Sequence, residues 1–465
     1  MFFKEDTICA IATAMIDAGI GIIRVSGDRT LEIVNNLYID AKGNHSLKNY
    51  ESHTINYGFI VDENDNKIDE IMISIMKAPR SYTKEDVVEI NSHGGRLIME
   101  SILNLLIKNG CRLAEPGEFT KRAFLNGRID LTRAEAVMDL IHAQNEFSMK
   151  NSELQIGGIL FNKIEALRKE ILYEMAFIES AIDDPENYDL TGYDERLSKK
   201  NEEWINKLDY LINTSDEGII RKDGIKTVII GKPNAGKSSL LNKLAGEEKA
   251  IVTDIEGTTR DIIEETIRLD DIVLRVLDTA GIRDTDDKVE KIGVERAVKS
   301  AQSADLILYI IDSTDDSVSD DERISELILE KHVIVLLNKN DISDSISILE
   351  KDIHNIYGSN IPVIKTSMVS DTGIEELKKI ITDMFFNGNL VPKEEVYVTN
   401  LRQKEALINA FESLKKVEAS IEASMSEDFY SIDLMNAYAF LGEIIGQEVD
   451  EDLVEEIFSK FCMGK

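Results

Sequence analysis

The chain has 465 residues, 43% hydrophobic and 30% charged, with a formal net charge of −34. That length suggests roughly two to four domains. The acidity argues against nucleic-acid binding through overall charge, because such affinity comes largely from Lys and Arg neutralising phosphates.

Met1 to Asp6 lacks a basic region followed by a long apolar core, so no signal peptide is expected. No run of about 18 apolar residues predicts a membrane span. Three scattered cysteines, Cys9, Cys111 and Cys462, argue against a disulfide scaffold and for a reducing, cytoplasmic setting.

Residues 1–120 mix short β-rich runs with helices and read as a small α+β domain. Ile20–Val25 and Ile71–Met76 are predicted strands. Arg96–Lys108 is a predicted helix, stopped by Asn109 and Gly110. Residues 121–220 read as the first part of a helical domain. From Ala134 to Ile182 there is no proline, and Leu160, Ile164, Leu167, Ile171 and Ile178 fall on one stripe. Asp183-Asp184-Pro185 ends that pattern, and another helix is expected from Glu202 to about Asn213.

Residues 221–386 alternate strands and helices, which predicts a parallel sheet covered on both faces. Leu306–Ile311 and Val333–Leu337 read as buried strands. Ile262–Leu269 alternates apolar and charged residues, as an edge strand does. Residues 387–465 return to helical character, with Leu407, Phe411, Leu414, Val417 and Ile421 at spacings of three and four. The simplest architecture is a nucleotide module inserted into a helical domain whose two halves pack together.

Gly231 to Ser238 reads Gly-Lys-Pro-Asn-Ala-Gly-Lys-Ser and fits the phosphate-binding pattern G-x-x-x-x-G-K-[ST]. The apolar run Thr227–Ile230 precedes it and a helical pattern follows, which is the context the motif requires. Backbone N–H groups at a helix N-terminus can then close around phosphate oxygens. Lys237 would reach the outer phosphates and the Ser238 hydroxyl would hold Mg2+. Asp278-Thr279-Ala280-Gly281 follows one apolar run and Asn338-Lys339-Asn340-Asp341 follows another. The first suits the Mg2+ shell and γ-phosphate; the second offers Asn and Asp to a guanine edge. Together they favour GTP over ATP.

Ile282 stands where Ras-like GTPases carry the Gln that orients water, and it cannot hydrogen-bond. Either hydrolysis is negligible or another group takes that role; Asp284–Glu290 offers acidic candidates, or is simply a solvated loop. Asn234 either stabilises the phosphate loop or, with backbone carbonyls, coordinates a monovalent cation that acts as an arginine finger does. Thr258 or Thr259 would be the second hydroxyl ligand to Mg2+.

The phosphate loop, Gly257-Thr258-Thr259-Arg260-Asp261 and Asp278–Arg283 resemble those of the MnmE (TrmE) family of tRNA modification GTPases. The resemblance extends to Asp6-Thr7-Ile8, Gly21–Gly27, Ser81-Tyr82-Thr83, Glu85–Glu89, His93-Gly94-Gly95, Pro116–Thr120 and Arg122–Gly127. It ends on Phe461-Cys462-Met463-Gly464-Lys465, so it covers the whole chain in order. It implies a multidomain α/β and α+β protein. An N-terminal α+β folate-binding and dimerisation domain would precede a discontinuous helical domain with a Ras-like P-loop GTPase inserted in it.

The resemblance implies further a GTPase that works with an FAD-dependent partner subunit, in a heterotetramer, on the wobble uridine of certain tRNAs. The pair would install a 5-aminomethyl or 5-carboxymethylaminomethyl group. The one-carbon unit would come from a 5-formyl- or 5,10-methylene-tetrahydrofolate, held by a domain that also makes a homodimer. GTP would be bound by Asn234, Ala235, Gly236, Lys237, Ser238 and Ser239; by Thr253, Asp254, Ile255, Glu256, Gly257, Thr258 and Thr259; by Asp278, Thr279, Ala280 and Gly281; and by Asn338, Lys339 and Asp341. Ser238 and Thr259 would hold Mg2+, and Asn234, Thr258 and the Thr253 and Ile255 carbonyls would hold K+. Glu290 would orient water through an intermediary, and Cys462 would serve the modification chemistry.

For folate the matched residues are Arg24, Glu89, Arg128 and Lys465. A carboxylate such as Glu89 pairs with the donor edge of a pterin, and Arg24 suits a folate carboxylate. The other function class is a GTP-controlled interaction switch in ribosome or RNA assembly. The folate-type motifs and Cys462 count against it.

Overall fold

The computed structural model describes residues 6–184, 186–188, 190–247, 265–277, 300–315, 331–343, 346–386, 388 and 395–464. Its contacts divide the chain into two units: Met1–Met138 with Gln155–Asn201 and Glu412–Lys465, and Asp139–Leu154 with Glu202–Phe411.

The first unit opens with a seven-stranded sheet. Its strands are β1 (Ile8–Ile11), β2 (Ala18–Ser26), β3 (Tyr38–Asp40), β4 (Thr54–Val61), β5 (Lys67–Met76), β6 (Val87–Gly94) and β7 (Arg112–Leu113). Their order is β3-β4-β5-β6-β2-β1-β7. All pairs are antiparallel except β1 with β7. Both strands expected here form, and the helix α2 (Arg96–Lys108) follows Gly95 and stops at Asn109, as the Asn-Gly signal predicts. With α1 (Thr30–Leu37) it covers one face, burying Ile33, Val34, Met99, Ile102 and Leu106 against Ile23, Val25, Ile73, Ile75, Val88 and Ile90. That two-residue alternation is what fixes the register.

The proline-free stretch after residue 130 is helical, but not continuous. After α3 (Glu118–Leu125), it forms α4 (Leu131–Ile141), α5 (Glu146–Ile156) and α6 (Ile159–Asp183). Asn145 restarts the chain by accepting the Ser148 backbone N–H on its side-chain oxygen at 2.7 Å, an N-cap contact. Gly158 precedes α6 at φ +85°, where a Cβ would collide with the Arg133 guanidinium. The predicted stripe on α6 is fully buried, and α6 ends at Asp183 with Asp184 as its cap.

The helix expected from 202 to 213 is longer, α7 (Tyr193–Asp223), because its apolar spacing is carried through by Leu197 and Ile220. In the first unit the two halves of the helical sequence do meet. Arg168 on α6 donates to the Tyr438 carbonyl at 3.1 Å and stacks over the Tyr438 ring at 3.9 Å.

The second unit carries a six-stranded sheet of β8 (Ile225–Gly231), β9 (Glu265–Leu269), β10 (Ile272–Val276), β11 (Leu306–Asp312), β12 (His332–Asn338) and β13 (Val363–Lys365). Their order is β13-β12-β11-β8-β10-β9. Every pair is parallel except β9 with β10, which puts the predicted edge strand at the edge. Along β11, Leu306, Leu308 and Ile310 pack on one face with α8 (Lys237–Glu247) and α10 (Ile374–Phe386). Ile307, Tyr309 and Ile311 pack on the other with α9 (Ile346–Tyr357). Burial on both faces is why these strands read as unbroken apolar runs. Three more helices close the chain: α11 (Leu401–Glu422), α12 (Glu427–Ile445) and α13 (Glu451–Ser459). On α11, Leu407, Leu414 and Val417 are buried, whereas Phe411 and Ile421 are half-buried.

Candidate functional sites

The phosphate loop joins β8 to α8 and is held by backbone conformations that few residues adopt. Gly231 sits at φ +154°, with the Ile310 backbone against the place a Cβ would take. Gly236 sits at φ +107°, and a Cβ there would collide with the Asn338 amide. Asn234 is left-handed at φ 63°, which Asn tolerates better than most side chains. These conformations bring the loop directly onto the start of α8, where the helix dipole favours an anion.

Lys237 opens α8 and folds back over the loop. Its ammonium donates to the Gly231 carbonyl at 2.7 Å and the Lys232 carbonyl at 2.8 Å. Burial pushes its pKa down from the ordinary lysine value. An ammonium has three protons, so one remains beyond the two that brace the loop.

The Asn338 motif reaches the same loop. Asn338 ends β12, and its Nδ2 donates to the Ala235 carbonyl at 2.9 Å. Its Oδ1 is buried and accepts no hydrogen bond. Buried polar atoms are rarely left so, and a ligand N–H would satisfy this one. Lys339 is left-handed at φ 62° and its ammonium pairs with Asp312 on β11. The Asn340 N–H binds the Thr366 carbonyl at 3.1 Å, so the segment is tied to the loop after β13. Asp341 is exposed. These residues fit a guanine nucleotide with phosphates at α8. Ser238 and Ser239 lie in the first turn of α8. Thr253–Thr259, Asp278–Gly281, Ile282 and Glu290 lie outside the described residues, as does Lys465.

A different site lies in the first unit. Arg24 on β2 and Glu89 on β6 are direct cross-strand partners. Arg24 donates Nε and Nη2 to the single oxygen Oε1 of Glu89, at 2.9 and 2.8 Å. Its Nη1 donates to the Gly464 carbonyl at 2.9 Å. The C-terminal segment is thus fastened beside this pair. The Gly117 N–H donates to the Cys462 carbonyl at 3.3 Å, and Gly464, at φ +87°, packs against the backbone of Ile11 and Ala12. Cys462 is half-buried and forms no disulfide. The structure therefore brings Arg24, Glu89 and Cys462, distant in sequence, into one neighbourhood. Arg128 joins through Tyr82, whose ring centroid lies 5.8 Å from the Arg24 guanidinium and 4.8 Å from that of Arg128. A cavity of about 440 Å3 opens here, lined by His53, Met76, Pro79, Arg80, Ser81, Tyr82, Lys84 and Arg128.

Beneath this site runs a lattice of charges that sequence reasoning took only as signature motifs. Arg122 donates to Asp6 at 2.6 Å, Glu118 at 3.0 Å and Glu85 at 3.1 Å. Arg112 donates to Asp6 at 2.6 Å and to both oxygens of Glu118. Ser26 donates to Glu85 at 2.6 Å. Burial alone would push the Asp6 and Glu118 carboxyls up. Hydrogen bonds and charges from Arg112 and Arg122 outweigh it and hold both below their ordinary values, and the Glu115 N–H adds to this at Glu118. The lattice ties together the β5–β6 connection that carries Tyr82 and the helix start that carries Phe119, and Phe119 lies 5.6 Å from the Arg24 guanidinium. The available signal was Asp6, Glu85, Glu118 and Arg122 standing inside those motifs; Arg112 lies outside them.

The family profile described as the MnmE helical domain matches residues 131–462, more than half of the chain. The profile described as the GTP-binding protein TrmE N-terminus matches residues 7–128. The chain belongs to the MnmE family of tRNA modification GTPases. A curated member named tRNA modification GTPase MnmE, from Lachnoclostridium phytofermentans, is 52% identical over 462 residues, 99% of this chain and 100% of its own. Members of the same name from Acetivibrio thermocellus and Clostridioides difficile are 47% and 46% identical, each covering 100% of both chains. The family's N-terminal match spans Arg24, Glu89 and Arg128, and its helical match spans the phosphate loop and Cys462. Among the described residues no helix is long and apolar enough to cross a membrane.

Proposed function

We propose that this MnmE-family chain is a potassium-dependent, cytoplasmic GTPase. With an FAD-dependent partner subunit it forms the 5-aminomethyl or 5-carboxymethylaminomethyl group on the wobble uridine of certain tRNAs. A tetrahydrofolate derivative supplies the one-carbon unit. The observation that carries this reading is the fastening of the Cys462 segment beside Arg24 and Glu89, in a chain that also holds a formed phosphate loop.

At the nucleotide site, loop N–H groups and Lys237 bind phosphate oxygens, Ser238 and Thr259 hold Mg2+, and Asn338 and Asp341 read guanine. K+, held by Asn234, Thr258 and the carbonyls of Thr253 and Ile255, supplies the positive charge that compensates the transition state. Glu290 positions water in place of the Gln that Ile282 replaces. At the folate site, Oε1 of Glu89 is taken by Arg24, and Oε2 remains for the donor edge of a pterin. Tyr82 offers a ring face to the ligand. Exposed Ile55, Tyr57 and Met72 on β4 and β5 support a homodimer, since Tyr57 and Met72 sit directly opposite on an apolar face. The 440 Å3 cavity and the Arg24–Glu89 pair favour a small-molecule enzyme over a pure interaction switch.

Steady-state GTP hydrolysis in KCl and in NaCl tests the cation half. The rate in KCl should exceed that in NaCl on the order of tenfold or more, as expected when a positioned charge at the transferring phosphate is lost. Rates agreeing within about twofold, close to what ionic strength alone produces, would contradict it.

A further inference from the structure

We infer that the cationic cavity beside Tyr82 holds the glutamyl tail of the folate, so that the protein prefers poly-γ-glutamylated folates to the monoglutamate. The inference rests on the folate reading above and deepens it. Arg24, the natural candidate for a tail carboxylate, already gives three of its five N–H protons: Nε and Nη2 to Glu89, Nη1 to Gly464. Its charge is already compensated by Glu89, so a second carboxylate gains less there than at an unpaired cation. A ligand whose pterin end meets Glu89 must place its acidic tail elsewhere.

The cavity has what that tail requires. Arg24 and Arg128 flank one ring, Tyr82, and Tyr82 lines the cavity with Arg80, Lys84 and Arg128. Leading from Glu89 past an aromatic face to cations, the surface follows the chemistry of the ligand: donor edge, aryl ring, carboxylates. None of Arg80, Lys84 and Arg128 pairs with a described carboxylate. The nearest acids in sequence are committed elsewhere: Glu85 binds Ser26 and Arg122, and Asp86 accepts the Ala78 N–H at 2.9 Å. Lys84 is also held in place. It is left-handed at φ 62°, and its ammonium donates to the Asn126 and Gly127 carbonyls at 2.9 and 3.0 Å, with a third proton to spare. In a chain of net charge −34, cations left without acidic partners around one cavity are a standing attraction for an anion. Each added γ-glutamyl residue brings one more carboxylate, and a guanidinium fork binds it in two parallel hydrogen bonds.

The experiment is calorimetric titration of the full-length protein with the mono- and triglutamate forms of 5-formyltetrahydrofolate. The triglutamate should bind on the order of tenfold more tightly, the gain expected from about one added charge-assisted pair. Arg80→Glu, at an exposed position, should bring the ratio close to one without moving the melting temperature. Equal affinities in the unaltered protein, or a ratio unchanged in Arg80→Glu, would overturn the inference while leaving the folate site intact. Binding of neither form would remove the folate reading itself. A glutamate preference that survives in Arg80→Glu while tRNA binding is lost would assign the cavity to RNA phosphates instead, and so also overturn it.

Discussion

The phosphate loop and the Arg24–Glu89 site differ in what holds them in shape. The loop is set by backbone conformation inside one strand–loop–helix segment: left-handed Asn234 and glycines where no Cβ fits. The Arg24 site is set by side-chain charges drawn from β2, β6 and α3 (Glu118–Leu125) and by the Gly464 carbonyl, with Asp6, Arg112 and Arg122 beneath it. Backbone geometry survives most side-chain changes nearby but fails when a glycine is replaced. A charge lattice tolerates backbone substitutions but fails when one partner is removed. The two sites should therefore break in different ways.

The largest effect is expected in the lattice. Arg122 is 8% exposed and serves Asp6, Glu85 and Glu118 together. Arg122→Met would leave the buried Glu118 and the half-buried Asp6 and Glu85 short of a partner, which costs up to about 3–5 kcal/mol. Denaturant unfolding measures this. GTP affinity should stay unchanged, and a variant as stable as the parent would show that the lattice is ornamental.

Gly236→Ala should act on the other site and in the other way. The new Cβ meets the Asn338 amide at a φ that alanine adopts only under strain. Strain of about 1–3 kcal/mol, added to a displaced Asn338, predicts a loss of GTP affinity on the order of a hundredfold. Titration with a fluorescent guanine nucleotide reads it, beside an unfolding transition of the nucleotide-free protein lowered by no more than that strain. Undiminished affinity would mean that the loop can rearrange, and that backbone conformation does not define the site.

A smaller and graded effect is expected from acid. Asp6 and Glu118 have pKa values below their ordinary values of 3.8 and 4.5. A depressed carboxyl stabilises the fold above its unfolded pKa, and that contribution fades as pH falls through the folded pKa. The transition that reports the N-terminal domain should thus weaken as pH is lowered from about 5 toward 3. In Arg122→Met the same titration should be flatter. An identical acid response in both proteins would place the sensitivity outside the lattice.

The contrast also explains what the sequence revealed. The nucleotide sheet was legible because β8, β11 and β12 are buried on both faces and read as apolar runs, and because the loop's glycines stand at fixed spacing. The breaks between α4, α5 and α6 were not legible, since Asn145 and Gly158 act through a local cap and a clash with a residue 25 positions away. At the other site, Arg24 and Glu89 stood out only through family resemblance. Their pairing depends on β2–β6 register across 65 residues, which local periodicity does not encode. The Arg122 lattice was invisible for the same reason, and so was the packing of Gly464 onto β1.

The most direct test of the account is mass spectrometry of tRNA wobble nucleosides from cells lacking the protein, complemented by the unaltered chain or by Cys462→Ser. Ser keeps the size of the side chain but removes thiolate chemistry. The account predicts that 5-aminomethyl and 5-carboxymethylaminomethyl derivatives of uridine vanish without the protein and return with the unaltered chain. It predicts that they fail to return with Cys462→Ser, although that variant still hydrolyses GTP and stays folded. Wobble nucleosides unchanged by loss of the protein would contradict the account outright.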